Sequence, residues 1–461
     1  MFMGFLKDVF LEKADAVAII WHGRPYQYVW LSRALEYWVG RLTSAGICSG
    51  DVVLLEGDFT PNSVALLLAL VEKGCIAVPL SAERVHEREA LSSIAAANWT
   101  IEVDEEDSVS INHRQVQPSH ELYELLRQNG HPGIVFFTSG STGVSKGVVH
   151  DLARLLVKYQ ARRHDLRTLA FLLFDHIGGF DTLLYVLSNG STLVVPGSRL
   201  PGPVCQAIEQ HQVQVLPVSP SFLNLMLLSE AHAEFDLRSL RYITYGAEVM
   251  PASTLGKCAA VFPGVTLLQK YGATEIGTMR SKSEKQDSLW VKIGGEGYAW
   301  RVVDGILQIK CDSAMVGYLN APSPFTSDGW FITGDVVEQN GDSLRILGRK
   351  SDIINVGGQK VYPAEVEEVI CELDGVADAT VYGEKNQLLG SIVCAKVRLA
   401  RPEPVEQFSR RLRMHCKDRL DKYKVPLRVT LSDDLQFDAR SKKMRRDLAE
   451  GAGVKNARGA V

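Results

Sequence analysis

Between residues 29 and 245 the chain switches repeatedly between two kinds of apolar segment, and that alternation limits the folds open to it. Segments 31–45 and 62–73 carry apolar residues over helical lengths, whereas 52–55 and 76–79 are apolar runs of strand length. Further runs of strand length follow at 133–137, 168–173, 191–195, 213–218 and 240–245. Strands apolar on both faces need helices packed over them, so the pattern predicts a large layered α/β lobe. The character changes after about Trp300. Segments 302–304, 306–310, 329–337 and 343–347 read as short strands joined by Gly and Asp turns, which predicts a β-rich subdomain. Past Arg349 a smaller α+β unit is expected, with a hairpin turning at Gly357 and Gly358, a helix over 363–373, strands near Thr380 and over 392–397, and a basic helix over 406–420. The expected domains are therefore 1–349 and 350–461, with residues 451–461 too poor in large apolar side chains to pack.

Composition narrows the function classes. A formal net charge of −4 offers no general attraction for nucleic acid or an anionic membrane, so neither is expected as a partner. Residues 1–11 include Lys7 and Asp8 and lack a small-residue cleavage site, unlike a secretory leader, and no apolar run is long enough to span a bilayer. The 8 cysteines are scattered with no C-x-x-C pair, which suits reduced core thiols in a cytoplasmic protein better than a disulfide framework or a zinc site. Small-molecule chemistry is the better expectation.

The sharpest local feature is Thr138-Ser139-Gly140-Ser141-Thr142-Gly143-Val144-Ser145-Lys146-Gly147, directly after the apolar run 134–137. Glycines let a backbone turn tightly and aim its N–H groups inward, hydroxyls add donors, and a lysine supplies charge: together these suit a polyphosphate. Taken alone the segment also reads as a surface turn. It is neither a Walker loop, which needs Gly before the lysine and a hydroxyl after it, nor the dinucleotide G-x-G-x-x-G pattern. Three more segments follow in order: Tyr271-Gly272-Ala273-Thr274-Glu275, Phe331-Ile332-Thr333-Gly334-Asp335, and a long stretch from Gly348-Arg349 through Gly357-Gly358 to Glu367. With Ser441-Lys442-Lys443-Met444-Arg445-Arg446-Asp447-Leu448 near the end, the set resembles the adenylate-forming superfamily of acyl- and aryl-CoA ligases, peptide-synthetase adenylation domains and beetle luciferases. The likeness is weak before Gly50 and firm from Thr138 to Glu367.

That resemblance implies ATP and magnesium as partners in activating a small carboxylic acid, with CoA as the first choice of acyl acceptor and a carrier-protein phosphopantetheine or an amine as alternatives. It implies Thr138, Ser139, Gly140, Ser141, Thr142, Gly143, Lys146, Tyr271, Asp335 and Arg349 at the nucleotide, with Asp335 accepting from the ribose hydroxyls. Thr274 would lie by the phosphates, Glu275 would hold magnesium, and Lys442 would meet the charge growing on the α-phosphate, with Lys443 its rival. Gly357 and Gly358 would leave room for a pantetheine arm, and Ser351 falls at the hinge of a mobile C-terminal domain. Serine replaces the usual residue at three places: proline at Ser145, which predicts a looser loop, Asp or Lys at Ser351, and glycine at Ser441.

For the acyl pocket the resemblance points to His176, Ile177, Gly178, Ser219, Tyr245, Gly246 and Ala247. His176 could act at the mouth of the acyl site or simply serve as a structural hydrogen-bonder. Aligned back from Gly190, Ile177 takes the place where amino-acid-activating members have aspartate, with Asp175 and Asp181 close by, which favours an uncharged aromatic or aliphatic acid. Two other readings stay open: a degenerate nucleotide binder without turnover, and an oxygen-dependent light-emitting enzyme on the same scaffold.

Overall fold

Two parallel-rich sheets clasp a pair of almost wholly apolar helices in the computed structural model, which describes residues 2–138, 144–285 and 287–432. One sheet runs, edge to edge, through Thr266–Gln269, Tyr242–Tyr245, Val215–Val218, Thr168–Leu169, Leu193–Val194, Val17–Trp21 and Arg24–Gln27, all parallel except the last. The other is built on the parallel set Ile76–Leu80, Val52–Glu56 and Trp99–Val103, extended by Gly133–Thr138 and its antiparallel partner Lys146–Asp151. Between the sheets lie Pro61–Glu72 and Ile177–Ser188. Every residue from Val64 to Val71 is buried, so this helix has no polar face to show water. Each fully buried Leu there contributes roughly 1.5–3 kcal/mol of transfer free energy. Thr60 starts that helix as its N-cap, its hydroxyl accepting from the Ser63 N–H at 3.1 Å, and Pro61 fills the first turn, where a missing N–H costs nothing.

After the lobe comes a six-stranded antiparallel sheet over 280–349, in the order Arg280–Ser283, Val291–Gly294, Ser343–Arg349, Phe331–Asn340, Ile306–Cys311, Tyr298–Val303. The chain leaves it at Arg349, makes a short turn of 3-10 helix over Lys350–Asp352, and enters a separate five-stranded sheet covered by the helices Pro363–Cys371 and Val405–Cys416 around its own core. The layered α/β architecture and the smaller C-terminal unit are as the sequence predicts. Among the described residues no helix is long and apolar enough to cross a membrane.

Two segments differ from expectation. The strand expected over 168–173 is paired only at Thr168–Leu169. Beyond it the backbone is diverted: the Phe171 carbonyl accepts from Arg199 Nε at 2.7 Å and the Leu173 carbonyl from the His176 N–H at 3.1 Å, closing a turn into the next helix. The N-terminus, hard to read in sequence, forms the helix Gly4–Glu12 and an antiparallel pair turning at His22 and Gly23.

Candidate active site

A cavity of about 1400 Å³ opens between the lobe, the six-stranded sheet and the C-terminal domain. Its lining includes Thr138, Thr274, Glu275, Asp335 and Arg349, residues far apart in sequence that the two sheets and the hinge bring together. Five of the phosphate-loop residues, Ser139, Gly140, Ser141, Thr142 and Gly143, lie outside the described residues, as do Lys442 and Lys443.

Asp335 is held from two sides within the cavity. It sits at a bulge where Phe331–Asn340 pairs with Ser343–Arg349, and register places it opposite Arg349. Arg349 Nε lies 2.7 Å from Oδ1, and the Tyr271 hydroxyl donates to Oδ2 at 2.6 Å. Burial pushes the Asp335 carboxyl up from its ordinary range, with Arg349 and Tyr271 opposing, while Asp335 raises Arg349 in turn. Each carboxylate oxygen has acceptor capacity beyond one bond, so a carboxylate held this way can still receive a diol.

Glu275 lies in the turn between the paired segments Gly272–Ala273 and Gly277–Thr278. Its Oε1 accepts from the Tyr318 hydroxyl at 2.7 Å, and the Lys146 ammonium stands over the Tyr318 ring, 5.1 Å from its centre. Tyr318 thus links the phosphate-loop lysine to the carboxylate, a role the sequence did not single out. Lys146 and Tyr318 stand behind the cavity wall rather than in it. No group of three or more His, Cys, Asp or Glu among the described residues could enclose a metal. A lone carboxylate facing a phosphate site is nonetheless the donor set that magnesium uses when phosphate oxygens and water complete its shell.

Thr274 is buried, and its carbonyl accepts from Nε2 of the fully buried His150 at 2.6 Å. Desolvation holds His150 below its ordinary value, so the ring is neutral and serves as a strut for the Thr274–Glu275 turn. Ser145 does not leave its end of the loop slack. Its hydroxyl accepts from Arg84 Nη2 at 3.0 Å and donates to Glu87 at 3.3 Å, while Asn320 donates to its carbonyl at 2.9 Å and accepts from Gly147 N–H at 3.1 Å. Side-chain tethers hold Ser145 where proline would have stiffened the backbone, while residues 139–143 of the loop predicted to be looser lie outside the described residues.

On the acyl side, Ile177, Gly178, Tyr245, Gly246 and Ala247 line the cavity, as does His176. His176 is the N-cap of Ile177–Ser188, its Nδ1 accepting from the Gly178 N–H at 3.1 Å, so the structural reading of this histidine holds while it also faces the cavity. Gly246 is demanded by packing, because a Cβ there would fall 2.6 Å from the Lys270 carbonyl oxygen. Ala247 carries φ of 69°, a strained value for a residue with a Cβ. Ser219 is different. It is buried outside the cavity lining and caps Pro220–Leu228, its hydroxyl accepting from Phe222 N–H at 3.1 Å; neighbouring Ser221 reaches the cavity and donates to Glu248 at 2.5 Å.

The C-terminal domain presents the start of Pro363–Cys371 to the cavity, with Asn224 donating to the Ala377 carbonyl at 3.0 Å and Glu368 accepting from Ala252 N–H at 3.2 Å. Ser351 lines the cavity at the domain junction. Gly357 and Gly358 do not; both are exposed at the tip of the pair Ile354–Val356 and Gln359–Val361, with φ of 56° and 85° that suit a tight hairpin. In this arrangement they form a hairpin turn away from the cavity.

Comparison with known proteins agrees with this geometry. Residues 6–304 match the family of AMP-binding enzymes and residues 365–443 its C-terminal domain. The chain belongs to the AMP-binding, adenylate-forming enzymes. It is 33% identical over 336 residues to a 3-[(3aS,4S,7aS)-7a-methyl-1,5-dioxo-octahydro-1H-inden-4-yl]propanoyl:CoA ligase of Mycobacterium tuberculosis, an alignment covering 68% of this chain and 66% of that one. The namesake from Rhodococcus jostii is 31% identical, and the chain spans just under two thirds of the length of both relatives, 66% and 64%. A 2-succinylbenzoate–CoA ligase of Geobacillus kaustophilus is 26% identical across 96% of each chain. In fold, the anthranilate CoA ligase AuaEII in complex with anthranoyl-AMP superposes with a TM-score of 0.85 at 21% identity, covering 99% of this chain and 98% of that one.

Proposed function

We propose that this protein is an acid–thiol ligase that activates a carboxylic acid with ATP and passes the acyl group to CoA. The observation that carries the reading is the Tyr271–Asp335–Arg349 cluster standing beside Thr274 and Glu275 in a cavity whose other end is walled by Ile177, Tyr245 and Gly246. In the first step an oxygen of the acid bonds to the α-phosphorus of ATP as the bond to pyrophosphate breaks. In the second, the CoA sulfur attacks the acyl carbon and AMP leaves. A carboxylate is a poor electrophile and its mixed anhydride a good one, so the protein's work is positioning and charge stabilisation.

Asp335 would hold the ribose, Arg349 and Tyr271 would keep that carboxylate oriented, and Lys146, behind the wall on the Tyr318 ring, would add positive charge at the phosphate end. Glu275 would hold magnesium, which when bound neutralises phosphate charge. Lys442 would supply the cation at the α-phosphate. We take Arg349 and Lys350 as the domain boundary and Ser351 as the hinge, about which the C-terminal domain turns between steps to bring Gly357 and Gly358 to the thiol. Cytoplasmic placement rests on thiols such as Cys75, which burial pushes up to about 12 and which stands free, as in a reducing compartment. A carrier-protein thiol in place of CoA is the second reading.

The test is product analysis with a panel of acids, ATP and either CoA or a pantetheinylated carrier protein, with and without chelation of magnesium. The reading expects AMP, pyrophosphate and an acyl-CoA thioester, all lost on chelation. Thioester on the carrier protein alone would replace CoA as acceptor.

A further inference from the structure

Two cations at the acyl end of the cavity, Lys270 and Arg163, make no side-chain hydrogen bond or ion pair among the described residues. Lys270 follows the strand Thr266–Gln269 and lies against Gly246, its N–H donating to the Tyr245 carbonyl at 2.7 Å. Its side chain is half-buried and lines the cavity, and among the described residues no hydrogen-bond or ion-pair partner faces its ammonium. Arg163 lines the same end and also lacks a side-chain ion pair among the described residues. Of the carboxylates at this end, Glu248 accepts from the Ser221 hydroxyl at 2.5 Å, and Oδ1 of Asp181 accepts from Lys158 Nζ and from the Tyr159 hydroxyl, the latter at 2.6 Å.

Desolvation holds the Lys270 ammonium below the ordinary lysine range; of the charges it feels, Asp181 opposes that and Arg163 and Lys158 reinforce it. These neighbours are acyl-side groups, not Glu275, Asp335 or Arg349, so Lys270 addresses the acid rather than the nucleotide. An ammonium drawn partly out of water with no ion pair of its own, and only the shared charge of Asp181 nearby, costs free energy that a bound anion returns.

Resting on the reading of this site as one that activates acids, we infer that the acid it takes carries a second anionic group of carboxylate kind, remote from the carboxylate that reacts, and that Lys270 together with Arg163 receives it. Lys270 is then a specificity-determining residue. Ile177 alone suggests an uncharged acid, but Ile177 is one wall of the pocket and Lys270 is another. An acid without the distal charge fills the apolar wall and leaves the cation unpaired.

Paired substrates test this: aryl and alkyl dicarboxylic acids against half-esters of the same acids, compared by initial rates of pyrophosphate release with the full chain. The diacids are expected to show kcat/KM higher by about 10- to 100-fold, the scale set by pairing a desolvated charge. Lys270→Met should erase that ratio, mainly through KM, Lys270→Arg should keep much of it, and Lys270→Glu should turn the preference toward acids with a distal ammonium. ATP binding by each variant, measured calorimetrically, shows that the fold is intact. Equal turnover of diacids and half-esters by the unaltered chain overturns the inference while leaving acid activation standing. So does a Lys270→Met variant that loses all acids by one factor, since Lys270 would then serve the reacting carboxylate. Silence toward both series would remove the acid-activating reading itself.

Discussion

The two ends of the cavity are built on opposite plans. At the nucleotide end every charged group described has a protein partner: Asp335 has Arg349 and Tyr271, and Glu275 has Tyr318, which in turn carries Lys146 on its ring. At the acyl end Lys270 and Arg163 stand without one among the described residues. A site that binds the same nucleotide in every turnover can be pre-organised by the protein, so little reorganisation remains when ATP arrives. A site that must choose among acids keeps its discriminating charges for the ligand, because a wrong partner then leaves a desolvated ion unpaired.

Substitutions can break this contrast. The largest effect is expected from Lys442→Ala, a drop in adenylate formation on the order of 100- to 1000-fold for every acid with ATP binding nearly kept, as for other aimed cations at a developing charge. Rapid-quench measurement of adenylate checks it; an equal loss from Lys443→Ala with Lys442→Ala near normal would exchange the two lysines. Asp335→Ala comes next. It removes the proposed ribose acceptor and leaves Arg349, whose side chain is 55% exposed, without its counter-ion, so the melting temperature should fall only slightly while KM for ATP rises roughly 10- to 100-fold whatever the acid. Tyr318→Phe is milder: it removes one hydrogen bond to Glu275 but keeps the ring under Lys146, for about 3- to 10-fold in kcat/KM. A raised magnesium requirement in that variant would sharpen the assignment of Glu275.

The smallest effect concerns pH. His150 is neutral in the fold because burial lowers its pKa from 6.5, so the unfolded chain binds the proton first as pH falls. His150 therefore favours the folded state fully above about pH 6.5, and that contribution is lost progressively as pH falls below 6.5 toward the depressed native value. Melting temperature measured from pH 8 to 5 should decline over that window. His150→Gln should flatten the decline, and an unchanged pH dependence would contradict the neutral strut.

The same contrast governs how much of the molecule is legible from sequence. Apolar alternation revealed the lobe because strands such as Val52–Glu56 are buried along their whole length, and the Pro61–Glu72 helix is apolar on every side. Tyr271, Glu275, Asp335 and Arg349 could be singled out because they fall in short contiguous motifs, and folding brings all four to one cavity. Tyr318 was not, since a Gly-Tyr pair has no chemistry until folding puts its hydroxyl on Glu275. Lys270 stands directly before the Tyr271 motif and belongs to no pattern of its own in the sequence; only its position against Gly246 places it at the acyl end. Ser219 and Ser145 show the reverse limit. Ser219 reads in sequence as pocket wall and proves to be a helix cap, whereas Ser145 reads as a lost constraint and proves to be tethered by Arg84, Glu87 and Asn320.

The most direct test of the central claim is carboxylate-dependent pyrophosphate release, followed with mass-spectrometric detection of acyl-CoA across mono- and dicarboxylic acids. The account predicts release only when an acid is present, AMP formed in equal amount, and thioester appearing when CoA is added. ATP binding with no pyrophosphate release from any acid in the panel would contradict it and mark the protein as a nucleotide binder without turnover.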